Sequence, residues 1–312
     1  MKTTDILGCV GGVSFFLVAS TWIPIIGPFL SLLSPFPLLY YSTKLGFLQA
    51  LKLAAISTLV VGVFVKILGH PQLVIFAIEF SILGIALAEI LKRQFGIGKT
   101  ILLGTLAMLF VGFSFLYFIA LSKNMGPAEM ILGYLKDHLE TSVRIYEERG
   151  ASQEKISDVK LFGTAFIETV SKIYPSLMII GTALIVWLNV IMARLLFRIG
   201  NLAYPDFGPM DYWRAADTLV WGVIAAGFAL LIPSESIQLV ATNILIIIMV
   251  VYLFQGLAIA LFFINKYHAP LWMRVGIYFL IIIQQLSWVV LSIAGFFDQW
   301  IDFRKIHKRM ES

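Results

Sequence analysis

The sequence predicts an all-α protein, a polytopic transmembrane helical bundle with an extramembrane amphipathic helical hairpin. Of its 312 residues, 60% are hydrophobic and only 13% are charged, whereas a soluble domain carries about 25% charged residues. Apolar runs long enough to cross a hydrocarbon core of about 30 Å recur along the chain. Between Lys123 and Lys172, however, lie 15 of the 41 charged residues, so one hydrophilic segment interrupts the apolar chain. This composition excludes a soluble globular fold.

Eight or nine membrane crossings are predicted, because each needs about 20 apolar residues at a rise of 1.5 Å per residue. The eight clear runs are Ile6–Trp22, Phe47–Leu68, Gln72–Leu91, Ile101–Leu121, Ser176–Phe197, Thr218–Ile232, Ile237–Ile264 and Leu271–Phe297. The total depends on Phe29–Tyr41, which Pro35 and Pro37 interrupt. There are nine crossings if this piece crosses as a broken helix, and eight if it is re-entrant.

The hydrophilic segment predicts two amphipathic helices. Pro127 suits a first helical position, and apolar residues recur at helical spacing up to a break at Gly150. Ser152 can cap a second helix, whose apolar stripe leads to Pro175, where the next membrane run begins. The pair could pack on itself or on the outer membrane surface, or form a lid or a docking surface. The predicted regions are 1–122, amino-terminal transmembrane helices; 123–173, extracytoplasmic hairpin; and 174–312, carboxy-terminal transmembrane helices with a basic tail.

Lysine and arginine in short loops predict the orientation, because cytoplasmic loops carry the excess of both. With nine crossings and the amino terminus inside, the internal basic loops, including Lys266 and Arg274, lie inside and the hairpin lies outside. The tail contradicts this arrangement, since Arg304 and Lys305 would be exported. The first run could imitate a secretory signal, but no convincing small-residue cleavage site follows, so a retained first helix is predicted.

The sequence shows no apparatus for enzyme chemistry. Cys9 is the single cysteine, which excludes an intrachain disulfide and a cysteine-based zinc site. The four histidines lie in separate segments without a metal-binding spacing. The stretch Gly96–Thr100 resembles the end of a phosphate-binding loop, but Arg93 stands where that loop needs a glycine. We therefore predict no enzyme, no metal, no cofactor and no nucleic-acid partner; the net charge of +5 belongs to cytoplasmic loops.

Polar residues inside the apolar runs are the candidates for ligand binding. An ionisable group at the bilayer centre costs at least about 2.5–3.5 kcal/mol and is usually retained for a reason. Glu79 is the strongest candidate; its alternatives are an ion pair with Lys66 or a hydrogen-bonded, protonated carboxyl. Asn189 could contact a ligand or join two helices by hydrogen bonds, the role also predicted for Asn243, Gln255, Gln284 and Gln285. Trp22 could be a ligand platform or an aromatic anchor at the membrane surface.

Pairs of small residues four apart predict close helix packing. They are Gly8 and Gly12, Ala50 and Ala54, Gly84 and Ala88, Ala225 and Ala229, and Gly256 and Ala260. Most such pairs pack helices within one chain.

Three stretches carry a family resemblance: Ser34–Leu39 followed by Lys44–Gly46, Phe207–Arg214 running into Asp217–Trp221, and Phe297–Arg304. With these, the chain resembles the YybS-like family of bacterial multispanning membrane proteins over most of its length. That family is distantly similar to the S components of energy-coupling-factor vitamin transporters, which are six-helix proteins that hold a vitamin near the outer face. The similarity implies a bacterial cytoplasmic membrane location, a transmembrane coupling subunit and two ATPases. It also implies that Gly8 and Gly12 match the small residues with which S components contact the coupling subunit.

The resemblance favours a small-molecule-binding component of vitamin or micronutrient uptake, with ATP hydrolysed by other subunits and a pocket lined by Trp22, Glu79 and Asn189. No vitamin-specific motif is present, and the hairpin and carboxy-terminal helices lie outside the six-helix pattern. The alternative is a membrane scaffold or regulatory partner in a bacterial envelope complex. Membrane lipid is a partner on either interpretation.

Overall fold

The computed structural model describes residues 2–23, 26–67, 69 and 73–305, and every regular element within these ranges is a helix. The helices are α1 (Thr3–Trp22), α2 (Ile26–Ser31), α3 (Pro35–Leu45), α4 (Phe47–Ile67), α5 (Leu73–Lys92), α6 (Ile97–Ser122), α7 (Pro127–Glu148), α8 (Gln153–Ile199), α9 (Leu219–Leu230), α10 (Glu235–Lys266), α11 (Leu271–Ile283) and α12 (Gln285–Ile301), with one 3₁₀ turn at Met210–Tyr212.

The chain forms two compact units. The first comprises Met1–Ser171 and Gly181–Asp206, and the second comprises Lys172–Ile180 and Phe207–Ser312. Helices α1 to α7 belong to the first unit and α9 to α12 to the second, while α8 contributes its ends to the first and a short central stretch to the second.

Five helices among the described residues are long and apolar enough to cross a membrane: α4, α5, α6, α8 and α10. Helices α11 and α12 would make a sixth span if taken together, but they meet at an angle of 100°. The part of α1 from Thr3 to Ala19 and helix α9 are apolar and shorter. The eight or nine predicted crossings are therefore not confirmed, whereas an all-helical membrane protein is.

The break between α2 and α3 explains part of the difference between the predicted number of crossings and the number of long apolar helices. Helix α2 has 6 residues and α3 has 11, about 9 and 16 Å, each well short of a crossing. Pro35 begins α3 at a first helical position, where its missing N–H is tolerated. The piece Phe29–Tyr41 is therefore two short helices.

The predicted run Leu271–Phe297 is also broken. Gln284 has extended backbone angles, φ −85° and ψ 102°, which end α11 and begin α12. The indole of Trp288 donates a hydrogen bond of 2.6 Å to the carbonyl of Ile281, one of the groups that the break leaves without a helical partner.

Helix α8 continues through Pro175, where the sequence predicted a boundary between an amphipathic helix and a membrane run. Asn243 of α10 replaces a backbone hydrogen bond next to this proline. Its Oδ1 accepts from the backbone N–H of Ser176 at 2.9 Å, and its Nδ2 donates to the carbonyl of Lys172 at 2.8 Å. A side-chain amide thus stands in for the usual bond from residue 176 to residue 172, and the predicted role of Asn243 between helices is confirmed.

Helix α7 and the first part of α8 pack against each other. Leu139 lies directly against Gly163, Val143 and Ile156 are buried, and Lys160 approaches Glu147 at 3.6 Å. These contacts fit the amphipathic pattern of the hydrophilic segment.

Glycines set the closest helix contacts. In the second unit, a Cβ at Gly256 of α10 would overlap the carbonyl oxygen of Leu291, and a Cβ at Gly295 of α12 would overlap that of Tyr252. In the first unit, Gly84 lies against the backbone of Pro35 in the same way, with the oxygen 2.5 Å from an added Cβ. The small-residue pattern therefore predicted packing within the chain correctly at Gly84 and Gly256.

Candidate functional site

A buried carboxylate in the second unit organises the best-defined polar cluster of the protein. Asp298 of α12 is fully buried. Its Oδ2 accepts hydrogen bonds from Gln255 at 2.8 Å and from Arg304 at 2.5 Å, and its Oδ1 accepts from the backbone N–H of Phe303 at 3.0 Å. Charge pairing and three donors together make this burial tolerable.

Arg304 links two stretches that are far apart in the sequence. Its side chain is 5% exposed. Besides its bond to Asp298, its Nη1 donates to the carbonyls of Asp211 and Trp213 at 3.1 and 3.0 Å. The guanidinium thereby ties the 3₁₀ turn at Met210–Tyr212 to the end of α12.

Gln255 of α10 completes the cluster. Its Oε1 accepts from the backbone N–H of Ala215 at 3.0 Å, while its Nε2 donates to Asp298. One amide therefore joins α10 both to the segment after the 3₁₀ turn and to α12, which confirms the predicted role of Gln255 between helices.

A cavity of about 490 Å³ opens beside this cluster, at the carboxyl end of α10. Its lining comes from three stretches of the second unit: Asp211, Tyr212 and Arg214; Phe262, Asn265 and Lys266; and Asp302, Arg304 and Lys305. The rings of Tyr212 and Phe262 meet edge to face, 5.4 Å between centroids, and form an apolar wall.

The opposite wall is charged. Asp302 accepts from Lys305 at 2.9 Å and faces the Nη1 of Arg214 at 3.7 Å. Burial raises the pKa of the Asp302 carboxyl, but the hydrogen bond from Lys305 and the charges of Lys305, Arg214 and Arg304 outweigh it. The pKa of Asp302 therefore lies below its ordinary value, and the group is a carboxylate at neutral pH.

This cavity brings two basic segments to one place. Lys266 is the last residue of α10, and Arg304 and Lys305 follow α12. Arg304 and Lys305 therefore lie with Lys266 at the same end of α10, whereas a straight crossing by Leu271–Phe297 would place them at the opposite end. The arrangement, like the angle of 100° between them, favours a re-entrant pair for α11 and α12.

Chemically, the cavity offers guanidinium and ammonium donors, two carboxylates, an amide and two aromatic rings. The described residues contain no group of three or more His, Cys, Asp or Glu side chains that could hold a metal ion. The arrangement suits recognition of a ligand by charge, hydrogen bonds and ring contact.

Glu79 lies in the first unit, in α5. Its carboxyl is half-buried and rests against the bare backbone of Gly112 in α6, where an added Cβ would lie 2.6 Å from its Oε1. The contact gives an ionisable group a defined place inside an apolar helix pair.

Asn189 links α8 to the break between α2 and α3. It is fully buried, and its Nδ2 donates to the carbonyls of Leu32 and Ile185, each at 2.8 Å. Its Oδ1 has no partner among the described residues. The bond to Leu32 satisfies a carbonyl just after the end of α2, at the break before α3.

Two of the three predicted ligand residues, Glu79 and Asn189, lie at different heights along α6. Val186 of α8 touches Gly104 of α6, one turn from Asn189, whereas Glu79 touches α6 eight residues further on, about 12 Å along the helix. Trp22 is the last residue of α1, and its side chain lies outside the described part of the structure.

Gly8 and Gly12 face α3. An added Cβ at Gly8 would overlap the hydroxyl of Tyr41, and one at Gly12 would lie 2.9 Å from the ring of Pro37. Tyr41 and Pro37 of α3 therefore contact this face of α1, while Gly8 itself remains exposed.

Sequence reasoning did not select the cluster around Asp298, although a signal for it was present. Two stretches that carried the family resemblance, Phe207–Arg214 and Phe297–Arg304, meet there through Asp211, Trp213 and Arg304. Stretches far apart in sequence that share a family pattern and contain complementary charges are candidates for contact.

No curated protein and no solved structure matches the chain. The model of one family, described as predicted membrane protein (DUF2232), matches residues 13–299. The match includes Glu79, Asn189, Gln255 and Asp298, and thus both units and most of the buried cluster. The chain belongs to the DUF2232 family of predicted membrane proteins.

Proposed function

We propose that this membrane protein binds a small molecule in the cavity at the carboxyl end of α10. The observation that supports the proposal is the cavity itself, whose volume of about 490 Å³ falls within the roughly 300–1,000 Å³ typical of small-molecule sites. Such sites combine an apolar surface with a few convergent polar groups. Tyr212 and Phe262 supply the first, and Arg214, Asp302 and Lys305 supply the second.

The resemblance to S components supports a role for this binding in uptake. On that comparison the chain holds a vitamin-like nutrient in the bacterial cytoplasmic membrane, joined to a coupling subunit. Its sequence has no phosphate-binding loop for a nucleotide, so ATP hydrolysis falls to separate subunits.

Glu79 is a second candidate for the binding residue. An ionisable side chain inside a membrane helix is by default a functional-site hypothesis, and its carboxyl has a fixed position against Gly112. A ligand at Glu79 would lie among the amino-terminal helices of the first unit, away from the cavity at α10.

A scaffold in an envelope complex is the alternative function, and exposed aromatic rings support it. Tyr134 of α7 and Phe162 and Phe166 of α8 are each more than 60% exposed. Aromatic side chains are frequent anchors in protein interfaces. On this alternative the segment from α7 into α8 docks a partner protein and the cavity is incidental.

Native mass spectrometry of the full-length chain, extracted from its own membrane, distinguishes these possibilities. We expect wild type to carry one small molecule and Arg214→Gln to lose it by about tenfold or more, because a hydrogen bond to a charged group contributes about 1.5–3 kcal/mol. Glu79→Gln should retain the molecule. Arg144→Gln, the same change at an exposed residue of α7, is the matched control and should also retain it.

The other outcomes assign the function differently. Loss of the molecule in Glu79→Gln but not in Arg214→Gln would move the site to the first unit. A wild-type chain that carries no small molecule, and a partner protein that is lost when Phe162 and Phe166 are changed to serine, would contradict ligand binding and support the scaffold.

A further inference from the structure

The carboxylate of Asp302 lies between two cations on the charged wall of the cavity. Its ion pair with Arg214, at 3.7 Å, is too long for a hydrogen bond. Its partner Lys305 is 77% exposed. Ion pairs between exposed or partly exposed side chains contribute little to stability, so both cations can exchange Asp302 for a stronger anion at small cost.

The backbone brings Asp302 to this position. It follows the last residue of α12 with φ 47° and ψ 67°, in the left-handed region. Aspartate and asparagine adopt this conformation more readily than other residues that have a Cβ. An asparagine at 302 should therefore keep the fold of the turn while removing the charge.

The charge balance of the cavity favours an anion. Arg304 also lines the cavity, but the ion pair with Asp298 neutralises its charge. Three cations, Arg214, Lys266 and Lys305, then face two carboxylates, Asp211 and Asp302. Asp211 already accepts from Asn265 at 3.2 Å, and Asp298, 4.0 Å from Arg214, is already bound to Arg304 and Gln255. Asp302 is the carboxylate that pairs with both Arg214 and Lys305.

This inference rests on the proposed small-molecule function. We infer that the cavity binds a phosphate group, and that this phosphate displaces the carboxylate of Asp302 from Arg214 and Lys305. An arginine fork and a lysine ammonium are the two side chains that most often bind phosphate. A phosphate carries about −1.5 to −2 charges at pH 7 and three acceptor oxygens, more than one carboxylate offers. The rings of Tyr212 and Phe262 then contact the organic part of the molecule, whether a phospholipid headgroup or a soluble phosphorylated compound.

Binding of two probes to the purified full-length chain in non-ionic detergent tests this inference. The probes are inorganic phosphate and dihexanoyl phosphatidic acid, titrated by calorimetry. We expect wild type to bind, Asp302→Asn to bind about three- to tenfold more tightly because the competing charge is gone, and Arg214→Gln and Lys305→Gln to bind at least about threefold more weakly. Tighter binding of phosphatidic acid than of inorganic phosphate identifies a lipid headgroup as the source, and equal or weaker binding of phosphatidic acid identifies a soluble phosphorylated compound.

Asp158→Asn, the same change at an exposed residue of α8, controls for net charge and should leave both affinities unchanged. Equal affinity in Asp302→Asn and wild type, or the failure of both probes to bind wild type, would overturn the inference. If neither probe binds but the membrane-extracted chain still carries a molecule that Arg214→Gln loses, the proposed function stands and the phosphate assignment fails.

Discussion

Replacing Asp298 with alanine should destabilise the protein by about 3–5 kcal/mol, because it leaves the buried guanidinium of Arg304 without its counter-charge. The side chain of Arg304 is only 5% exposed, so water does not replace the lost carboxylate. Gln255 and the backbone N–H of Phe303 also lose their acceptor. Thermal unfolding in detergent, followed by intrinsic fluorescence, measures the change.

The double variant Asp298→Ala with Arg304→Leu distinguishes the energetic cost of a buried unpaired charge from that of a lost contact. Removing both partners leaves no unpaired charge, so the double variant should be more stable than the single one. Asp158→Ala, at an exposed position, should shift stability by less than about 0.5 kcal/mol. If the single and double variants unfold at the same temperature, the ion pair is not what holds the end of α12.

Hydropathy predicted the long spans well, because each is bounded by a local signal. The run Phe47–Leu68 became α4, Phe47–Ile67, and the run Gln72–Leu91 became α5, Leu73–Lys92. Gly46, with φ 88°, separates α3 from α4, and a left-handed glycine is a stop that can be read from sequence. Runs of about 20 apolar residues between such stops leave little freedom in the fold.

Hydropathy failed where a distant residue changes the outcome. Pro175 should end a helix, but Asn243, 68 positions later, repairs the bonds beside it and lets α8 continue. The break at Gln284 has no proline or glycine to mark it. Neither result is encoded within a window of neighbouring residues.

The candidate site was missed for a related reason. Glu79 drew attention because it is an ionisable group inside an apolar run, a feature visible in sequence alone. Asp298 and Arg304 lie at the end of a run, where charges are ordinary. Only the fold shows that Asp298 is fully buried and that Arg304 reaches the turn at Asp211. The family pattern marked both stretches, but it could not show that they touch.

Replacing Gly295 with alanine should cost at least about 3 kcal/mol or prevent recovery of folded protein. The added Cβ would overlap the carbonyl oxygen of Tyr252 in α10 and would lie 2.9 Å from the backbone nitrogen of Gly256. Overpacking against side chains costs typically about 1–3 kcal/mol because they can move, whereas here both obstacles are backbone. Helices α10 and α12 would have to separate, which would also pull Asp298 away from Gln255.

Gly276→Ala in α11 is the matched control, since an added Cβ there meets nothing within 4 Å. Alanine is the better helix former, so Gly276→Ala should keep or slightly raise the melting temperature while Gly295→Ala lowers it. The yield of monodisperse protein and its thermal unfolding in detergent measure both variants side by side. Equal stability of the two would mean that α10 and α12 are not in backbone contact. The cluster around Asp298 would then lack the close packing that positions it, and the cavity beside it would have a different shape.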